Sequence, residues 1–284
     1  MHFLKFIIMA ARPGFWLTSI WFFLLPCGGF WVFDKLLFWV GLAYVSLPLG
    51  LVIYGFNDIA DRETDRLNPR KGTFLFGARG DDQDLNRLPL VILLAQLPFL
   101  ALFFFTVGPR ILPWFIVLLA LVALYNWPRW GFKNRPFLDM LNQVGYLLVF
   151  VLSSWLAGVP QLPLASFLFG LLFAMHSHLL GQIMDVEPDR LAGRRSTAVV
   201  LGVVKSKILL AVFVFIEGLL VASPLEQPLI AGLFLAGTIY FLADALVIWR
   251  EKPYSPAMMR LYLLGWNAIA LVTIPFVWSA ALFR

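Results

Sequence analysis

Residues 36–66 read LLFWVGLAYVSLPLGLVIYGFNDIADRETDR: 21 residues without a charge, then ten of which six are charged. About 20 mostly apolar residues are what a helix needs to cross the hydrocarbon of a bilayer. The stretch is therefore a membrane span that ends in a dense polar segment at the surface. The same ruler marks about nine spans, roughly 14–33, 36–56, 88–107, 111–127, 138–157, 163–184, 207–223, 228–249 and 258–282. The expected fold class is an all-α integral membrane bundle. Its short connections leave no linker, so residues 1–284 are expected to form one domain.

Composition leads to the same solvent. Of 284 residues, 61% are hydrophobic and 13% charged, with a mean hydropathy of +0.85, too little polar surface to cover a water-soluble fold. With the N-terminus in the cytoplasm, 19 of the 22 Lys and Arg residues fall at cytoplasmic ends and only Lys35, Arg110 and Arg284 on the other side. That asymmetry is the positive-inside pattern, and it predicts N-in, C-out. The net charge of +6 would also suit nucleic acid. The basic residues, however, sit in loops beside apolar spans, where lipid head groups and anionic substrates are the nearer partners, so no nucleic acid is expected. Cys27 is the single cysteine and lies in an apolar stretch, which leaves no disulfide framework or cysteine metal site. The first apolar segment has a short basic start and no small-residue cleavage site, and is read as a retained span.

Two loops carry dense charge, 57–87 after the second span and 185–207 after the sixth. Asn57–Arg66 (NDIADRETDR) aligns without a gap on Gly181–Arg190 (GQIMDVEPDR), agreeing at Ile59/Ile183, Asp61/Asp185, Glu63/Glu187, Asp65/Asp189 and Arg66/Arg190. Four spans separate the copies, so they share an orientation, as a parallel internal repeat requires. On a helix, Asn57, Asp61 and Asp65 would share one face, and so would Asp185 and Asp189. Like charges at i, i+4 weaken a helix, and here the same expense occurs twice. Oxygen-only ligands suit a hard cation, and magnesium typically takes one or two carboxylates and completes its shell with water and substrate phosphate. Two facing clusters would then grip a diphosphate. The plainer alternative is a solvated acidic face paired with Arg62, Arg66, Arg190, Arg194 and Arg195.

Such a site has a chemical use. Breaking an allylic C–O bond leaves a diphosphate whose charge must be stabilised as it develops. The allylic cation left behind needs a dry pocket with aromatic walls, for which 11 Trp, 7 Tyr and 28 Phe give ample material.

Asn57-Asp58-x-x-Asp61-x-x-x-Asp65 and Asp185-x-x-x-Asp189 resemble the paired signature motifs of the UbiA prenyltransferase superfamily. The resemblance extends to Arg12-Pro13, Tyr125-Asn126-x-Pro128, Lys133, Asn142 and Gly193–Gly202. It implies a UbiA-type bundle in a bacterial or archaeal cell membrane, with its site at the cytoplasmic edge. There Asn57, Asp61, Asp65, Asp185 and Asp189 would hold Mg2+, and Arg12, Arg62, Arg66, Tyr125, Asn126 and Lys133 would contact the diphosphate. Asn126 stands where many relatives have Ser. Pro188 replaces a glycine of some relatives and is expected to bend or end the helix between the two carboxylates. Asp58 is either a general base or a residue that caps or orients its neighbours. The implied partners are a prenyl diphosphate donor and a lipophilic acceptor. Asn68–Gly72, Phe132–Asp139 and Arg12-Pro13-x-x-Trp16 are similar to the carotenoid-modifying branch that extends lycopene, while an aromatic acceptor of quinone biosynthesis stays open.

The remaining polar residues fit this scheme less directly. His176 and His178 are expected to pack or meet head groups, since i, i+2 places them on different faces. Glu217 and Asp244 lie within spans and are site candidates by default, with Asp244 able to reach Arg250 or the interface. The reading from another functional class is a polytopic transporter, whose broken helices and internal repeat would look alike. It would, however, place its charged groups at the span midpoints.

Overall fold

The computed structural model describes residues 3–284 apart from 69, 129 and 282. Pro69 of the Asn68–Gly72 segment, Arg129 of the basic loops and Leu282 at the end of the last expected span therefore lie outside the described residues. The described residues form helices joined by short loops, with one isolated β-bridge, Thr73 to Gly77. Seven helical segments are long and apolar enough to cross a bilayer: α1 (Phe3–Cys27), α2 (Leu36–Ala60), α3 (Asp82–Val107), α5 (Leu138–Ala157), α6 (Leu164–Met184), α8 (Pro228–Ile248) and α9 (Pro256–Ser279). The other two expected spans fall on α4 (Ile111–Asn126), which is 16 residues long, and α7 (Val203–Ala222), which carries Lys205, Lys207 and Glu217.

Large side chains face outward along the helices, among them Leu93, Leu94 and Phe105 of α3 and Leu229 and Leu233 of α8. An apolar girdle of this size is what lipid contact requires and water would not tolerate. Exposed Trp31 lies between α1 and α2 and exposed Trp39 in the first turn of α2, while exposed Trp127 and Trp130 lie between α4 and α5, at the opposite end of the bundle. These are the levels at which aromatic rings settle between lipid and water.

The long helices are interrupted where they approach the polar end. α1 breaks at Arg12, whose φ of 48° is left-handed, just before Pro13; a residue preceding proline is driven out of the helical region. α2 passes through a π-helical turn at Leu51–Gly55, an irregularity common beside functional sites. Gly50 lets α1 approach, since a Cβ there would stand 2.6 Å from the Ala11 carbonyl oxygen.

Both repeat copies kink at the same place. Asp61 (φ −101°, ψ 12°) ends α2 ahead of the short helix Arg62–Leu67, and Asp185 (φ −91°, ψ 5°) ends α6 ahead of Val186–Leu191. The expected bend is thus present but lies at the first carboxylate, three residues before Pro188. Proline is tolerated in a first turn but lacks the N–H that would continue the helix behind it. In the other copy Thr64 takes that position, and its hydroxyl donates to the Asp61 carbonyl at 2.9 Å. The i, i+4 backbone bonds survive both kinks: Asp65 N–H donates to Asp61 and Asp189 N–H to Asp185, each at 2.8 Å.

Candidate active site

The broken ends of α2 and α6 open on a cavity of about 400 Å³. Every long helix except α3 and α7 contributes to its wall. Toward the motifs the lining is polar and mostly charged, with Asn57, Asp61, Asp65, Asp185, Asp189, Arg12, Arg70, Lys71, Lys133 and Arg194. Deeper in, it is aromatic, with Phe22, Phe173, Phe241, Tyr262 and Trp266. The two acidic segments, 124 residues apart in sequence, thus share one cavity.

Cations tie the segments together. Lys133 Nζ donates to Asp61 Oδ1 at 2.6 Å. Arg194 donates to the same oxygen, to Thr64 Oγ1 at 2.7 Å and to Asp189 at 3.4 Å, joining the first motif to the second. Arg70, in the loop after the first motif, pairs with Asp185, and Asn68 Nδ2 also donates to that carboxylate at 3.4 Å. Asn57 Nδ2 donates to Asp61 Oδ2 at 3.0 Å, and Ser196 Oγ to Asp189 Oδ2 at 3.1 Å.

These neighbours set the charge of the acids. Burial would raise the Asp61 carboxyl, but Lys133 and Arg194 hold it below the usual carboxylate range. Burial, together with Asp58 and Asp61 and despite Lys71, pushes Asp65 up. Asp189 is pushed up to about 6 by burial and by Asp185, against the pull of Arg194.

Asp58 is 2% exposed and does not line the cavity. It accepts from Lys71 Nζ at 2.6 Å and from Arg12 at 3.3 Å. Of its two sequence readings, the orienting one matches this placement: Asp58 holds two cations whose other faces meet the cavity. Lys71 also stands 2.7 Å from Asp65, and the Arg12 guanidinium lies over the Tyr54 ring, 4.6 Å from its centre.

Several expected residues are elsewhere. Arg66 pairs with Glu63 and Asp82 on the exposed surface, and Arg62 donates to Asn86, so neither reaches the cavity. At 3.6 residues per turn both already lie off the face shared by Asn57, Asp61 and Asp65, so the motif's own spacing turns them away from the cavity. Arg70, Lys71 and Arg194 stand there instead, from loops with no periodicity to read. Asn126 donates to the Val122 carbonyl at 3.0 Å and lines a smaller neighbouring cavity, not the main one. Tyr125 lines both and meets His178 Nε2 at 3.3 Å.

The histidines and intramembrane acids also depart from expectation. His176 and His178 both line the main cavity. Glu217, without a partner nearby in sequence, is 2.6 Å from His176 Nδ1. Asp244 pairs with Lys207 at 3.0 Å and accepts from the Tyr254 hydroxyl at 2.8 Å, not from an Arg250 side chain. Asp139 is buried and accepts from the Thr197 backbone N–H, the Thr197 hydroxyl and Gln182, which fixes the start of α5 against α6 and the short helix Thr197–Leu201.

Among the described residues, no three His, Cys, Asp or Glu side chains stand together as a ready cage for an ion. What the cavity offers is two acidic pairs and an amide, oxygen donors throughout. Such a set fits a hard divalent ion that takes its remaining ligands from substrate phosphate and water.

Comparison with known proteins agrees with this geometry. The chain is 28% identical over 261 residues to a protein named lycopene elongase/hydratase from Corynebacterium glutamicum, covering 88% of this chain and 87% of that one. It is 32% identical over 161 residues to a Haloferax volcanii protein of the same name, covering 56% and 52%. A UbiA homologue from Archaeoglobus fulgidus, solved with DMAPP and Mg2+, superposes with a TM-score of 0.68 at 23% identity, covering 96% of this chain and 97% of that one. The same homologue bound to GPP and Mg2+ gives 0.68 at 21%. The model of the UbiA prenyltransferase family matches residues 15–268. This multi-pass membrane protein, with its paired aspartate motifs at the mouth of an aromatic cavity, belongs to the UbiA prenyltransferase family.

Proposed function

We propose that the chain transfers a short prenyl group from its diphosphate to the terminal alkene of a carotenoid, with magnesium bound at the cytoplasmic edge of the membrane. The observation that carries this reading is the convergence of both acidic segments on one cavity whose wall turns aromatic behind them. Asn57, Asp61, Asp65, Asp185 and Asp189 would hold the metal. When bound, it neutralises the charge that builds on the departing diphosphate. Arg12, Arg70, Lys71, Lys133 and Arg194, with Tyr125, would face the diphosphate oxygens, and their present carboxylate partners keep these cations in position until it arrives. Phe22, Phe173 and Trp266 line the deeper wall, where they would exclude water and offer π surface to the allylic cation.

The size of the cavity supports a short donor. About 400 Å³ accommodates a few isoprene units together with one end of an acceptor, whereas a carotenoid is far longer and would leave most of its length in the lipid. The names of the relatives favour lycopene over an aromatic acceptor. The Lys and Arg asymmetry supports a cytoplasmic mouth.

The test is a competition. Membranes containing the chain are given radiolabelled dimethylallyl diphosphate, Mg2+ and both lycopene and 4-hydroxybenzoate, and the products are separated. Label in an extended carotenoid supports the proposal. Label confined to the aromatic acid keeps the transferase chemistry and removes the carotenoid acceptor.

A further inference from the structure

The aromatic part of the cavity contains a base that the aspartate motifs do not account for. His176 lies on α6 nine residues before Asp185, about 13 Å deeper along the helix axis. Its imidazole packs edge-on against Phe173, with ring centres 4.9 Å apart, and Phe173 in turn lies tilted against Trp266 at 4.7 Å; all three line the cavity. Behind the imidazole, Glu217 reaches across from α7, a helix with no residue on the cavity wall. Its side chain is 0% exposed, and Oε1 is 2.6 Å from His176 Nδ1. The other oxygen, Oε2, has no hydrogen-bond partner among the described residues. A carboxylate buried among apolar helices is expensive, and a structural strut would satisfy both its oxygens. This one has a single partner, and that partner faces the substrate space.

We propose that His176 is the base that takes the proton lost at the end of prenyl transfer, positioned by Glu217. The inference rests on the transferase reading above. A carboxylate only accepts, so Nδ1 carries the imidazole proton and Nε2 keeps its lone pair. Transfer begins when the donor C1–O bond breaks and its electron pair leaves with the diphosphate. The π pair of the acceptor's terminal alkene then forms the new C–C bond to C1, leaving the cation on the neighbouring acceptor carbon. A C–H bond next to that cation breaks, its pair becomes the new C=C bond, and the proton passes to Nε2. The resulting imidazolium is held against the Glu217 carboxylate, a pairing strengthened by the low dielectric around it, until the proton leaves by the cavity mouth. Depth supports the assignment. Asp185 marks the level of the diphosphate, and the acceptor carbon lies beyond the prenyl unit, toward the level of His176.

The experiment uses the purified chain in lipid nanodiscs with H176Q and E217Q variants. Binding of dimethylallyl S-thiolodiphosphate, a donor that does not ionise readily, is measured with Mg2+. Single-turnover transfer from dimethylallyl diphosphate to lycopene is followed alongside, with the alkene isomers and alcohols resolved. Both variants are expected to bind the thiolo donor within about twofold of the parent. H176Q should lose about 100-fold in transfer rate, the scale of a positioned base, and give mixed alkenes or trapped alcohol. E217Q, which keeps the hydrogen bond without the charge, should fall between. Transfer by H176Q at the parent rate to the same single product overturns the proposal. So does loss of donor binding in both variants, which would make the pair a strut. If the parent itself transfers nothing to lycopene, it is the acceptor reading that has failed.

Discussion

At the level of single residues, the two motifs divide their charges between an inner and an outer set. Arg194 and Arg70 meet carboxylates inside the cavity, whereas Arg62 and Arg66 pair with acids on the exposed surface. Exposed ion pairs contribute little, so R62A and R66A are expected to leave the donor KM within about twofold of the parent. If Arg194 and Arg70 turn to the diphosphate as proposed, R194A and R70A each remove charged hydrogen bonds to it and should raise that KM at least about tenfold. Steady-state transfer with varied donor concentration checks both. The five candidate metal-holding residues stood out in the sequence because the acids among them repeat at i, i+4 against helix stability in both copies. Arg194 was legible only as a salt-bridge partner of the acids, because it enters from a loop five residues after Asp189, where no periodicity points into a cavity. Asp58 could be narrowed to two roles from sequence, and only its burial between Lys71 and Arg12 separates them.

At the level of elements, the matched kinks at Asp61 and Asp185 carry the repeat into three dimensions. Their cause differs in the two copies, a proline in one and a threonine hydroxyl in the other, so the bend could be foreseen at Pro188 but not at Thr64. Seven of the nine expected spans correspond to helical segments long and apolar enough to cross a bilayer, though their internal breaks were not readable. A π turn or a left-handed Arg12 leaves no composition signal beyond the adjacent proline. The approach of α1 to α2 depends on Gly50. G50A would press a methyl group onto the Ala11 carbonyl, beside Arg12, at 2.6 Å. Overpacking of this kind costs about 1–3 kcal/mol. The variant is expected to melt at lower temperature and, because Arg12 shifts from Asp58, to bind donor more weakly. Thermal unfolding and donor titration measure the two effects separately.

For the whole molecule, bilayer residence follows from the exposed apolar girdle, and the placement of Lys and Arg predicts an orientation that labelling can test. Glu251, in the loop between α8 and α9, and Asp34, between α1 and α2, are both exposed and lie at opposite ends of the bundle. In a C27S background, D34C is expected to react with a membrane-impermeant maleimide in intact cells and E251C only after the cytoplasmic face is opened. The reverse pattern would invert the topology. The pairing of His176 with Glu217 belongs to this scale as well. It joins α6 to α7 across 41 residues, and no local sequence signal announces a contact between two helices.

The central claim is that both aspartate segments act together on one diphosphate. Its most direct test is pyrophosphate release from dimethylallyl diphosphate, with lycopene present, by the purified chain in nanodiscs. The parent is compared with D61N, D185N and the double variant, with Mg2+ and with EDTA. The account predicts release only with Mg2+ and a loss of about 10²- to 10³-fold in either single variant. It also predicts little further loss in the double variant, because each segment is useless alone. Metal-independent release, or release undiminished when either aspartate is replaced, would contradict it.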